Sequence, residues 1–195
     1  MKTPILVAIA LMSGTMAWAD DAGDLAAIRA LYAKIDQGKP VTTETVSFAD
    51  ESDPLEGTLV RRSYEGGLSA IKLSYVAGDH GGTDQSYYFK DGELFFIYTQ
   101  DTTWHFAPGS TDEKPKTVDT LIESRYYVRD GKVIEALQRS ATTSEDKKLE
   151  ELIAKVENKK LSGDPRGAKL IKRGAGIAKI KTGEEALKFF ATEEE

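Results

Sequence analysis

Residues 86–94 read SYYFKDGEL, and residues 125–133 read RYYVRDGKV. Both place two adjacent tyrosines, an apolar residue, a charge, Asp-Gly, a charge and an apolar residue in the same order. Asp-Gly favours a two-residue type I′ turn, because both central residues of that turn hold positive φ and these two residue types tolerate it. Each copy therefore predicts a β-hairpin, with Asp91-Gly92 at one tip and Asp130-Gly131 at the other. A two-residue tip sets Lys90 opposite Glu93, Phe89 opposite Leu94, Tyr88 opposite Phe95 and Tyr87 opposite Phe96. In the second copy it sets Val128 opposite Val133 and Tyr127 opposite Ile134. Such aromatic and aliphatic cross-strand pairs favour a pleated sheet. A repeated hairpin extends one sheet and does not by itself imply a repeated function.

Outward from these hairpins the same period of two continues from Val41 to about Arg139. Thr42 to Phe48 is rich in β-branched residues, Ile71, Leu73 and Tyr75 alternate with Lys72 and Ser74, and Tyr64 to Leu68 reads as a looser third tip. The pattern predicts an antiparallel meander of about six to eight strands. Large apolar groups on both faces of the 87–96 hairpin predict a sheet covered on both sides.

Before the sheet, Leu25, Ile28, Leu31, Tyr32 and Ile35 recur at helical spacing until Gly38 and Pro40 stop them. After it, Leu149, Leu152, Ile153 and Val156 predict an amphipathic helix within 144–161. Asp164-Pro165 can open a further helix that Gly174 ends, and Thr182 to Glu185 has capping-box spacing ahead of Ala186 to Phe190. The acidic tip, Glu193 to Glu195, is expected to fray. The fold class is thus α+β in one domain, 20–195: an N-terminal helix (20–40), an antiparallel meander (41–140) and C-terminal helices packed on the sheet (141–195).

Residues 1–19 set the expected compartment. Lys2 is the only charge before Asp20, Ile5 to Met12 is apolar, and Ala17-Trp18-Ala19 has the small-x-small pattern of a signal-peptidase site. This predicts a cleaved signal peptide, and a periplasmic or secreted protein with no integral membrane segment after cleavage. The apolar stretch falls short of the roughly 20 residues that a spanning helix needs. Without Lys2 the remaining chain holds 25 basic against 32 acidic residues, a net charge of −7. That balance argues against nucleic acid as a partner. There is no cysteine, so thiol catalysis, thiolate metal sites and disulfides are excluded.

Over residues 55–140 the chain resembles an uncharacterised group of secreted bacterial proteins, often lipoproteins, whose strands recur as Tyr-Tyr-Phe-x-Asp/Asn-Gly-x-Leu hairpins. Tyr87 to Leu94 and Tyr126 to Val133 carry the likeness. Val128 departs from it by replacing the aromatic residue, and no lipoprotein cysteine is present. The resemblance implies an antiparallel sheet in the cell envelope and brings no catalytic residue with it.

No His-Glu-x-x-His, Gly-x-Ser-x-Gly or phosphate-binding glycine loop occurs, and only His80 and His105 are available as imidazoles. No metal set and no cofactor are expected. Asp79, His80 and Asp84 gather two carboxylates and an imidazole in one glycine-rich loop, which could hold a cation or simply be a polar connection. Trp104-His105-Phe106 ends a strand before Pro108-Gly109, and its plainer reading is a strand-end histidine beside core aromatics. Gly174-Ala175-Gly176 lacks the rest of a nucleotide fingerprint. The basic run from Arg166 to Lys181 is a candidate anion patch, or a partner for the acidic remainder of the surface. The functional expectation is a non-enzymatic envelope protein that binds a partner protein or a small apolar ligand on the aromatic sheet, through Tyr88, Phe95, Trp104 and His105. The alternative is a hydrolase-like enzyme using His80 or His105 with nearby carboxylates.

Overall fold

The computed structural model describes residues 21–52, 54–79, 81–144 and 148–193. Residues 1–20, which contain the predicted signal sequence, lie outside the described residues, as do His80 and the last two glutamates. Eight strands form one antiparallel sheet in simple sequence order: β1 (Thr42–Asp50), β2 (Leu55–Ser63), β3 (Leu68–Ala77), β4 (Gly81–Lys90), β5 (Glu93–Phe106), β6 (Thr117–Arg129), β7 (Lys132–Thr143) and the two-residue β8 (Lys159–Lys160). Helix α1 (Asp21–Gln37) precedes them, α2 (Leu149–Ile153) lies between β7 and β8, and α3 (Arg166–Ile177) and α4 (Gly183–Glu193) follow. The α+β meander read from the repeat is the observed fold. No helix among the described residues is long and apolar enough to cross a membrane.

Both repeat tips are two-residue turns with left-handed backbone: φ is 51° at Asp91, 84° at Gly92, 49° at Asp130 and 68° at Gly131. A Cβ on Gly92 or Gly131 would meet nothing within 4 Å, so only backbone strain opposes a larger residue. Gly92→Val and Gly131→Val are each expected to cost about 1–2 kcal/mol. Their effects should add, because the two tips share no partner. Urea denaturation of the two single variants and the double variant measures this, and a Gly92→Val protein as stable as the parent would contradict it.

Beyond the first two pairs from each tip, the register departs from expectation. Lys90 faces Glu93 and Phe89 faces Leu94, but Tyr88 faces Phe96 and Tyr87 faces Ile97. In the second copy Val128 faces Val133, yet Tyr127 faces Glu135 and Tyr126 faces Ala136. A one-residue bulge sits at the same place in both hairpins, Phe95 in one and Ile134 in the other. A bulge lets two consecutive side chains share a face. Phe95 and Phe96 thus both enter the cluster beneath α1, with Ile28, Ile35, Leu68 and Tyr127.

The repeat also explains how helices cover both faces. The first tyrosine of each copy, Tyr87 or Tyr126, points to the α3 side and is completely buried. The second, Tyr88 or Tyr127, points to the α1 side, where Tyr32 meets Tyr88 and Phe96 edge-on at 5.2 and 5.4 Å. On the α3 side Tyr87 and Tyr126 lie two strands apart, roughly 10 Å. Gly167 and Gly174 of α3 are seven residues apart, also roughly 10 Å along a helix. A Cβ on Gly174 would stand 2.7 Å from the Tyr87 ring, and one on Gly167 would stand 3.2 Å from the Tyr126 ring. Helix α3 therefore lies across the strands with one glycine over each tyrosine. The Tyr126 hydroxyl donates to Asp164 Oδ2 at 2.8 Å, and Asp164 Oδ1 accepts the Arg166 amide at 2.9 Å, which fixes where α3 begins.

Two C-terminal expectations are corrected. Gly174 does not end a helix; it lies inside α3, because its missing side chain is what admits the Tyr87 ring. Among the described residues of the stretch 144–161, the α-helix runs over Leu149–Ile153. Leu149 and Ile153 bury themselves against Leu121 and Ala141, after which the Val156 amide bonds back to Ile153. The chain then pairs Lys159 and Lys160 with β7. At α4, Thr182 Oγ1 accepts the Glu185 amide at 3.2 Å, while the Glu185 carboxylate takes the Lys181 amide rather than that of Thr182.

Candidate functional site

The sheet has one face under α3 and α4 and the other under α1 and α2, but the second face is only partly covered. Helix α1 packs on β3, β5 and β6 near the hairpin tips, and α2 packs on β6 and β7 toward the other end of those strands. Between them the register runs one polar row across seven strands: Ser47, Thr58, Ser74, Asp84, Gln100, Glu123 and Arg139, each opposite the next. Strand residues alternate faces, so all seven side chains point the same way. The row on its α1 side contains Val60, Lys72, Ser86, Tyr98 and Arg125.

At the β6–β7 end this row closes into a buried ionic cluster. Glu123 is 4% exposed. Arg139 Nε donates to its carboxylate at 2.6 Å and Arg125 Nη2 at 3.0 Å, while Gln100 Nε2 approaches at 3.4 Å. Burial raises the Glu123 pKa, but hydrogen bonds from Arg139, Tyr98 and Arg125 outweigh it and hold the carboxyl below its ordinary value. Burial, together with the hydrogen bond to Glu123, pushes the Tyr98 hydroxyl upward. Arg125 also lies over the Tyr98 ring at 5.0 Å and donates to Asn158 Oδ1 at 2.9 Å. Beside this cluster, a cavity of about 300 Å³ is lined by Tyr32, Phe96, Tyr98, Arg125 and Tyr127.

From β1 to β5 the row is open. It floors a groove of about 920 Å³ lined by Thr58, Ser74, Asp84, Gln100 and Thr102, with Leu149 and Glu150 of α2 at one wall. Lys72 Nζ lies 2.9 Å from Asp84 Oδ2, which holds that carboxylate in place. Chemically the groove offers hydroxyl, amide and carboxylate groups across roughly 19 Å of sheet. A third cavity, about 510 Å³, runs along the opposite flank of α1 beside Asp36, Arg62, Lys72 and Tyr88.

The described residues singled out in the sequence fall into separate places, Tyr88 with Phe95 and Trp104 with Asp79, and not into one site. Tyr88 and Phe95 lie beneath α1, with ring centroids 6.4 Å apart; Phe95 is buried and burial raises the Tyr88 hydroxyl to about 12. Trp104 and His105 stand at the other end of β5, roughly 30 Å from Phe95 along the strand. Trp104 shares the groove face and donates its indole N–H to the Asp79 carbonyl at 2.7 Å, which ties the β3–β4 connection to the strand end; Gly81 to Asp84, expected as loop, instead open β4 and pair with Thr103 to Gln100 of β5. His105 is exposed on the opposite face. Phe106 is not a core residue: it is 60% exposed and meets Trp104 edge-on at 5.4 Å. Asp84 belongs to the groove, while Asp79 contributes its backbone to Trp104. Among the described residues no group of three or more histidines and carboxylates could hold a metal ion. Lys169, Lys172 and Lys179 of the basic run are exposed, whereas Arg166 pairs with Asp101 at 2.6 Å.

No family model matches the chain, and no curated protein or solved structure is significantly similar to it.

Proposed function

We propose that this chain is an exported binding module that holds a polar ligand on the sheet band between α1 and α2. One observation carries the reading: side chains from five consecutive strands converge on a groove of about 920 Å³ that no helix among the described residues fills. Ligand sites are typically clefts of about 300–1,000 Å³. Tyr88, Phe95 and Phe96 are occupied by α1 packing, so the reading moves from the sheet's aromatics to its polar row. The leader-like residues 1–19 support export. The hydrolase alternative needs a carboxylate–imidazole pair beside a cavity; His105 lies off the groove, on the other face.

Backbone amide chemical-shift mapping with separate small probes, a hexose, an amino acid and a short fatty acid, tests the proposal. Shifts clustered at Ser74, Asp84, Gln100 and Thr102 are the expected result for a polar probe. Shifts confined to Tyr88 and Phe95 with the fatty acid, or none with any probe, would overturn it.

A further inference from the structure

Resting on that reading, we infer that the groove's ligand is an oligosaccharide without acid groups, built from neutral or amino-bearing sugar rings. Three features of the site select this chemistry. The first is charge: among the described residues Glu56, Asp84 and Glu150 line the groove and no lysine or arginine does. Although Lys72 pairs with Asp84 from the adjoining row, Glu56 and Glu150 keep the lining acidic, which disfavours phosphate, sulfate and uronate groups and accepts hydroxyls or amines. The second is the kind of polar group. Thr58, Ser74, Gln100 and Asp84 are half-buried and supply short donors and acceptors on one register row, so successive ring hydroxyls can be met from successive strands.

The third feature is the aromatic end. From Phe96 to Phe106 the pairing of β5 with β6 is unbroken, so Gln100, Thr102, Trp104 and Phe106 all point to the groove face. Phe106 leaves 60% of its surface exposed, an unusual state for a phenylalanine, and its ring is braced against Trp104. The Asp79 carbonyl anchors Trp104 in turn. Neither ring lines the groove itself; Trp104 and Phe106 continue its face along β5 beyond Thr102, where a braced aromatic surface is suited to the apolar C–H face of a pyranose ring whose neighbouring rings lie on the hydroxyl-lined strands. The groove has apolar walls at Val76, Leu121 and Leu149, but its floor between them, Thr58, Ser74, Asp84 and Gln100, is polar and would leave hydrogen-bonding groups unpaired beneath a lipid tail.

The chain has two tryptophans, Trp18 and Trp104, so the full-length protein carrying Trp18→Phe reports on the aromatic end through Trp104 alone. Cellohexaose, chitohexaose and fully deacetylated chitohexaose are titrated against it, with hexagalacturonate as the acidic counterpart and a lysine-rich peptide as a non-sugar cation. Saturable change of Trp104 emission with at least one neutral or amino sugar, and none with hexagalacturonate, is the expected result. Phe106→Ala should weaken that binding by about tenfold or more. Thr102→Arg should abolish it, and both positions are exposed enough for the variants to fold. Binding of the peptide alone, equal binding of hexagalacturonate, or affinity unchanged by Phe106→Ala would overturn the saccharide assignment. Silence toward every sugar, while a non-sugar probe still shifts the groove amides, would sink the assignment and leave the binding reading standing. Silence toward every probe would sink both.

Discussion

Gly174→Ala is expected to destabilise the protein by about 1–3 kcal/mol, the usual penalty for overpacking a filled interior. Helix propensity predicts the opposite sign, since replacing an interior glycine by alanine should stabilise α3 by about 1 kcal/mol. Contact decides, because the new methyl would lie 2.7 Å from Cδ1 and 3.0 Å from Cε1 of Tyr87, a ring that is wholly buried and hydrogen-bonded to Gln85 Oε1 at 2.7 Å. Gly174→Leu should go further and unseat α3, exposing Leu170 and Ile177. Gly167→Ala should cost less, because its nearest neighbour is a Val133 methyl and the Tyr126 ring is 3.2 Å away. Shifts in urea midpoint measure all three. A Gly174→Ala protein more stable than the parent would show that α3 is not seated on Tyr87. Pairing Gly174→Ala with Tyr87→Leu gives the sharper result: the two changes should be strongly non-additive, since the smaller side chain removes the clash.

That prediction also shows what the sequence could and could not disclose. The duplicated Tyr-Tyr-x-x-Asp-Gly segment announced two hairpins and hence a meander, because turn chemistry and cross-strand pairing act over a few residues. It did not disclose the bulges at Phe95 and Ile134. An extra residue there is selected by tertiary packing beneath α1, which no local pattern records. Gly174 was ambiguous for a related reason: a glycine near a helix end reads as a stop unless the tyrosine that needs its space is known. The candidate site was half visible. Lys72 and Ser74 alternate with Ile71, Leu73 and Tyr75 in the sequence, which marks one polar side of β3. Aligning that side with Thr58, Asp84 and Gln100 required the register of every intervening strand. The paired charges at Glu123, Arg125 and Arg139 likewise look like surface residues until β6 and β7 bring them into one buried cluster.

Glu123→Gln is expected to cost about 3–5 kcal/mol at neutral pH, the range for breaking a buried ion pair by removing one partner. The amide keeps the shape of the carboxylate but leaves Arg139 and Arg125, whose side chains are 18% and 21% exposed, facing each other without an anion. The pH dependence gives the charge a signature that packing loss alone would lack. The Glu123 carboxyl is held below its ordinary value in the folded protein, so its contribution is fully present above the unfolded-state pKa of about 4.3. It is lost as pH falls through the lower folded value, when the unfolded chain binds the proton first and the folded chain follows. The stability gap between parent and variant should therefore be widest near pH 7 and shrink toward pH 3. An equal gap at both pH values, read from urea midpoints, would mean that the ionic cluster contributes shape and not charge. Because Gln100 leans on Glu123 at 3.4 Å and also lines the groove, the same variant should loosen that wall of the binding band. Faster amide exchange at Gln100 and Glu123, with the amides of Tyr87 and Tyr126 still protected beneath α3, would separate this local loosening from general unfolding.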